Sequence, residues 1–155
     1  MVGANRLAVF VLATMWACRR PVPDAEPTIV GKHAVVRLDP AGGELAAQLD
    51  RQAGKARARS LRPVVELRAE WCEPCKKLEA GGPELDAALE GTYLVQLDVD
   101  AWAGRLGAFA APAIPVFFAI DEHGRPTGRR LDGASIRGDD AKAFAAPLAA
   151  FLRTP

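Results

Sequence analysis

Two histidines, three cysteines and two methionines are a thin supply of metal-binding side chains for 155 residues. Structural zinc takes about four nitrogen or sulfur ligands. His33, His123 and a single C-x-x-C pair fall short of that, and there is no methionine-rich tract to hold a soft metal. Charge of one sign is lacking too. Twenty Lys and Arg face nineteen Asp and Glu, for a net charge of +1, so bulk electrostatics draw the chain neither to nucleic acid nor to an anionic membrane surface. No phosphate-binding or dinucleotide glycine motif occurs, so no flavin, nicotinamide or other cofactor is expected. No internal repeat is found, and no apolar run reaches the roughly 20 residues of a spanning helix. What remains is an ordinary globular composition, 50% hydrophobic and 25% charged, long enough for one domain with a sizeable core and a short tail.

The tail is at the front. Arg6 precedes the run Leu7 to Ala17, apolar apart from Thr14, and Cys18 follows it directly. A basic start, an apolar stretch of about 7–15 residues and a small residue at the cut describe an export signal. With Cys18 at the cut, the segment resembles a bacterial lipoprotein signal, which implies lipid attachment at Cys18 and a membrane anchor. Ordinary cleavage after Ala13, an uncleaved short anchor and a buried first helix of a cytosolic protein are the other readings. Lipidation of Cys18 would leave the remaining two cysteines as one even pair. The division expected is residues 1–17 signal segment, 18–31 linker rich in proline and charge, and 32–155 the folded domain.

Within that domain, hydrophobic periodicity predicts strands at 34–38, 64–69, 92–97, 116–120 and, as an edge, 129–131. Helical patterns lie between them. One follows Asp39-Pro40 and carries Leu45, Leu49, Ala53 and Ala56; another starts at Cys72 and is interrupted by Gly81-Gly82-Pro83. A short helical piece is expected from Ala101 to Phe109. A last helix carries Phe144, Leu148, Phe151 and Leu152, with a kink expected at Pro147. Strands alternating with helices predict an α/β fold with a partly parallel sheet covered on both faces, closed by an antiparallel hairpin.

The chemistry concentrates in Trp71-Cys72-Glu73-Pro74-Cys75-Lys76-Lys77. A strand that delivers a C-x-x-C pair to a helix N-terminus makes a reactive dithiol, because the unpaired N–H groups and positive dipole end favour thiolate over thiol. Cys72, nearer the helix end, is the expected nucleophile and Cys75 the resolving thiol. Glu73 between them should raise the pKa of Cys72 by charge alone, which favours a reducing protein. Haem attachment needs a histidine where Lys76 stands.

Together with Leu97-Asp98-Val99-Asp100, Ala113-Ile114-Pro115-Val116-Phe117-Phe118 and Gly133, the segment from Val64 to Lys76 resembles the thioredoxin family over about residues 60–153. The resemblance implies a thioredoxin fold, with a central mixed sheet of four to five strands and helices on both faces. It implies a cis peptide before Pro115 and a substrate-binding edge formed by Trp71, Ile114 and Pro115. It also implies that Glu66, where the family commonly has a buried Asp, relays protons for the resolving thiol. Arg68 stands two residues on, where the family usually has an aromatic; sharing a strand face with Glu66, it is expected to pair with it. Asp98 and Asp100 end a strand near the active face, and the readings for them are caps of the piece that follows or charges that tune Cys72. The Cys-Lys-Lys-Leu-Glu continuation is similar to periplasmic modules that pass electrons to envelope proteins.

These readings lead to a thiol–disulfide oxidoreductase on the periplasmic side of a bacterial envelope, anchored through Cys18. It would reduce disulfides of extracytoplasmic proteins and take electrons from an upstream dithiol. The alternative from another class is a redox-inert adaptor of the same fold, or a copper chaperone using the same two cysteines.

Overall fold

The computed structural model describes residues 23–138 and 140–154; Cys18 and the leader lie outside the described residues. Six strands form one sheet: β1 (Thr28–Val30), β2 (His33–Leu38), β3 (Arg62–Arg68), β4 (Thr92–Asp98), β5 (Val116–Ile120) and β6 (Pro126–Asp132). The helices are α1 (Leu45–Ala58), α2 (Glu73–Glu79), α3 (Pro83–Leu89) and α4 (Ala141–Arg153). The order across the sheet is β1-β2-β4-β3-β5-β6. The three inner strands β2, β4 and β3 run parallel, while β1, β5 and β6 join antiparallel. The mixed α/β architecture expected from the pattern is therefore present, with one strand more.

That extra strand is β1, within the stretch whose composition reads as linker. All three of its residues are exposed, so no buried face marks it in the sequence. Just before it, residues 24–26 are clamped onto α1: Lys55 bonds Asp24 and Glu26 at 2.8 Å each, and Gln52 Nε2 donates to the Ala25 carbonyl at 2.9 Å. Gln52 is itself fully buried and receives the Tyr93 hydroxyl proton at 2.6 Å.

Two cores sandwich the sheet. One face meets α1 through Leu49, Val65, Tyr93, Val95, Leu97 and Phe118. The other meets α2, α3 and α4 through Val64, Leu78, Leu89, Leu94, Phe117 and Phe144. Side chains alternate across a strand, so β3 sends Val65 and Leu67 to the first core and Val64, Glu66 and Arg68 to the second. Each fully buried Leu or Phe contributes roughly 1.5–3 kcal/mol, and the double-sided burial explains why Val64, Val65 and Leu67 lie so close together on β3.

Three local features depart from the sequence pattern. Asp39 caps a single 3-10 turn, Pro40–Gly42, and α1 starts only after Gly43 at φ 105°. The piece after Asp100 is a run of turns with one 3-10 turn at Gly107–Phe109, in place of a regular helix. The last helix runs through Pro147 without interruption, started by Asp140, whose side chain accepts from the Ala143 N–H at 2.7 Å.

Candidate active site

Parallel strands bring the carboxyl ends of β3 and β4 to the same edge, and the next residues of each build the site. After Arg68 the chain leaves the sheet through Ala69 and reaches Cys72, which is the N-cap of α2 with an extended backbone (φ −80°, ψ 100°). Pro74 fits the first turn because its missing N–H would have no helical partner. The Cys72 sulfur accepts the Cys75 N–H at 3.2 Å, so the helix end contacts the sulfur as the C-x-x-C spacing requires. Cys72 and Cys75 are joined in a disulfide with their Cα atoms 5.2 Å apart. Both are buried, in a small cluster with Ala69 against which Val99 and Ile114 pack. Residues from three separate parts of the sequence thus meet at the sulfurs.

The Ile114–Pro115 peptide is cis. Pro115 is buried, Ile114 half-buried, and the Pro115 carbonyl accepts the Gly133 N–H at 2.8 Å. A Cβ on Gly133 would lie 2.5 Å from that oxygen, so glycine is what lets the hairpin end approach so closely. Trp71 remains 63% exposed, its indole N–H donating to Asp100 Oδ2 at 2.8 Å. Asp98 accepts from the Asp100 and Ala101 N–H groups at 2.9 and 3.1 Å, the turn-starting geometry expected of it.

Glu73 does not act as a bare charge between the sulfurs. Its carboxylate accepts from Lys76 at 2.7 Å, and that bond holds its pKa below the ordinary value. The lysine one turn along offsets the negative charge that would otherwise oppose a thiolate at Cys72.

Glu66 is buried at 3% exposure. Burial is the largest influence on it and raises its pKa to about 7, against the lowering effects of a hydrogen bond from Gln96 and the charges of Arg68 and Arg37. Gln96 Nε2 donates at 2.9 Å. The expected direct pairing with Arg68 is replaced by another arrangement. Arg68 is equally buried, but its guanidinium reaches Glu79 at the end of α2 at 2.9 Å, Glu70 at 3.2 Å and Asp98 at 4.0 Å. It sits at the strand's last position, where the C-terminal turn of α2 is in reach, and Glu66 already has an amide partner. Arg37 on β2 adds a second bridge to Glu79 at 2.6 Å and contacts Gln96 Oε1 at 3.4 Å.

Gln96, Glu79 and Arg37 are the members of this group that pattern reading missed. Gln96 could have been found, being the one amide in an otherwise apolar run on β4. The other two depend on how α2 lies across the sheet. His33 is buried and His123 exposed. Among the described residues no group of three or more His, Cys, Asp or Glu could hold a metal ion, and no helix is long and apolar enough to cross a membrane.

Comparison with known proteins agrees with this geometry. The chain is 34% identical over 115 residues to a thiol:disulfide interchange protein DsbD of Cronobacter sakazakii, covering 68% of this chain and 19% of that protein. It is 35% identical over 95 residues to DsbD 2 of Pseudomonas aeruginosa, covering 56% of this chain and 16% of that protein. It therefore spans under a fifth of the length of these relatives. Among solved structures, a poplar thioredoxin h superimposes with TM-score 0.52 at 18% identity, covering 81% of this chain and all of that one, which shows the shared fold. The thioredoxin family model matches residues 54–140, from within α1 to the start of α4 and so across the dithiol, Glu66 and cis-Pro115; the chain belongs to the thioredoxin family.

Proposed function

We propose that this protein is a thiol–disulfide oxidoreductase that reduces disulfides of extracytoplasmic proteins through Cys72 and Cys75. The observation that carries this reading is the Cys72 sulfur at the N-cap of α2, accepting a helix-end N–H and closed in a disulfide with Cys75. In the reduced protein the Cys72 thiolate attacks one sulfur of a substrate disulfide. A mixed disulfide forms and the other substrate sulfur leaves as a thiolate. Cys75 then gives up its proton and attacks the Cys72 sulfur. That releases the second substrate thiolate and closes the Cys72–Cys75 bond, so two electrons have passed to the substrate. Glu66 is the acceptor of the Cys75 proton: it points to the face that α2 covers, and with a pKa of about 7 it is poised to take and return a proton at neutral pH.

Trp71, Ile114 and Pro115 form the substrate-binding edge. The exposed indole offers apolar contact, and the backbone ahead of the cis-proline can pair with an extended substrate segment in the manner of an added strand. An upstream protein dithiol restores the reduced state, in keeping with the interchange function named for the two bacterial relatives. Residues 1–17 as an export signal and lipid on Cys18 place the domain at the periplasmic side of a bacterial envelope.

The full chain is expected to reduce insulin with dithiothreitol as donor, and Cys72→Ser to abolish this. Activity that survives the substitution overturns the mechanism. A reduction potential near about −270 mV fits a reductase, one near about −120 mV an oxidase, and no exchange an adaptor. Mass spectrometry of the mature N-terminus tests the lipid.

A further inference from the structure

Glu66 has a second environment that the disulfide chemistry does not use. A cavity of about 590 Å³ lies between the sheet and the break that separates α2 from α3. Glu66, Gln96, Arg37 and Glu79 line its polar part and Leu85, Leu94 and Phe117 its apolar part; its lining reaches solvent at Ala80, Gly81 and Gly82 and also at Thr28 and Val30 of β1. Neither Cys72 nor Cys75 is among its lining residues. Ala80 is exposed and the two glycines half-exposed, so the cavity communicates with solvent on a side other than that of the sulfurs. The backbone makes this mouth: Gly81 at φ 74° and Gly82 at φ 134° adopt conformations that side-chain-bearing residues avoid, and they end one seven-residue helix and begin another.

We propose that this cavity is the water-filled route by which Glu66 exchanges protons with bulk solvent, entered at the α2–α3 break and independent of the face that binds substrate. The proposal rests on the relay reading of Glu66 given above. A carboxylate that has taken the Cys75 proton must lose it again before the next turnover. The sulfurs are buried even with nothing bound, and a protein joined to Cys72 covers that side further. The hydrogen bond from Gln96 offers no exit, because a carboxamide N–H does not release its proton near neutral pH. Water in the cavity does. The volume admits on the order of ten or more molecules, and a buried water needs two to four polar partners, which Glu66, Gln96, Arg37 and Glu79 supply.

The charges facing Glu66 come from each neighbouring strand and helix. Arg68 from β3 and Arg37 from β2 favour the carboxylate, and Glu79 from α2 opposes it. Asp86 of α3 lies at the far side of the same cavity, beside His33. Arg37 bonds Glu79 at 2.6 Å and Gln96 at 3.4 Å on the β2 side of the cavity.

The test narrows the route without touching the carboxylate or the sulfurs. Val35, half-buried on β2 and lining the cavity, is replaced by Phe; Ala80 at the exposed rim is replaced by Trp, a change the fold tolerates more readily. Infrared spectroscopy of the full chain, with Cys75 changed to Ser and Cys72 joined to a single-cysteine protein, follows deuterium entry into the protonated Glu66 carboxyl. Stopped-flow measurement of one turnover on insulin follows resolution in the chain that keeps both cysteines. Glu66→Gln is expected to slow resolution about a hundredfold, at the lower end of what a positioned base supplies, and neither cavity variant should slow it, because the proton leaves Glu66 only after resolution. Either cavity variant should slow deuterium entry about tenfold. Unchanged deuterium entry in folded Ala80→Trp overturns the route while leaving the relay intact. Unchanged resolution in Glu66→Gln overturns the relay, and the infrared result then judges the route by itself.

Discussion

Glu66 on β3 and Gln96 on β4 stand directly opposite one another in the parallel register, and the amide of Gln96 is committed at both ends. Its Nε2 donates to Glu66 Oε2 at 2.9 Å while its Oε1 accepts from Arg37 at 3.4 Å. The carboxyl therefore has one fixed neutral partner inside a ring of charges that do not bond it directly. That arrangement leaves burial as the dominant influence on its titration.

A pH dependence of stability follows. The unfolded chain releases the Glu66 proton near 4.5, whereas the folded chain holds it to about 7. Between those values the native state binds more protons, so stability falls as pH rises and levels off above about 7. The shift corresponds to a loss of about 3 kcal/mol across that window. Urea unfolding of the oxidised protein at pH 4.5 and 7.5 should show this fall, and Glu66→Gln should remove most of it.

Cys75→Ser separates the two halves of the exchange. Without a resolving sulfur, the Cys72–substrate disulfide has no internal route of release. The variant should accumulate a covalent adduct with disulfide-bearing proteins, visible as a heavier band on non-reducing gels that disappears with dithiothreitol. Cys72→Ser should form none.

Arg68→Met should cost less than the roughly 3–5 kcal/mol typical of orphaning a buried charge. The carboxylates left behind retain water, since the side chains of Glu70, Glu79 and Asp98 are 77%, 45% and 18% exposed. The arginine also carries a buried Nε without a partner, a cost that its removal relieves. A loss of about 1–2 kcal/mol in urea unfolding is expected, with Glu66 titrating above its wild-type value because a favourable cation has gone. Arg68→Lys should not restore the wild type, as one ammonium cannot hold carboxylates on α2, β4 and the Glu70 loop together.

Gly133→Ala tests the close approach behind the cis-proline. The added methyl would meet the Pro115 carbonyl oxygen at 2.5 Å and the Phe144 ring at 3.1 Å, and the first of these is backbone. We expect a destabilisation of about 2–4 kcal/mol. Insulin reduction should fall by more than the folded fraction does, because the displaced segment is the one carrying Ile114.

What the sequence disclosed and withheld divides along physical lines. Val64 to Leu67 and Val116 to Ile120 were readable as strands because burial on both faces makes them apolar, with Glu66 the one exception. The dithiol helix was readable because its cap, Pro74 and cysteine spacing are local. Thr28–Val30 was not, since an exposed three-residue edge strand has no pattern to show. The destination of Arg68 was hidden for a different reason. Sequence gives the face a side chain leaves from, and only the packing of α2 over that face decided between Glu66 and Glu79.

The clasp of Asp24 to Glu26 on α1 settles where a mechanical load would go. Pulling on the chain upstream of Asp24 strains first the ion pairs to Lys55 and Arg51 and the Gln52 bond to Ala25. The force then passes into a helix packed on the opposite side of the sheet from α2. The sulfurs are off that line, so drag on a leash at this end would leave their geometry undisturbed.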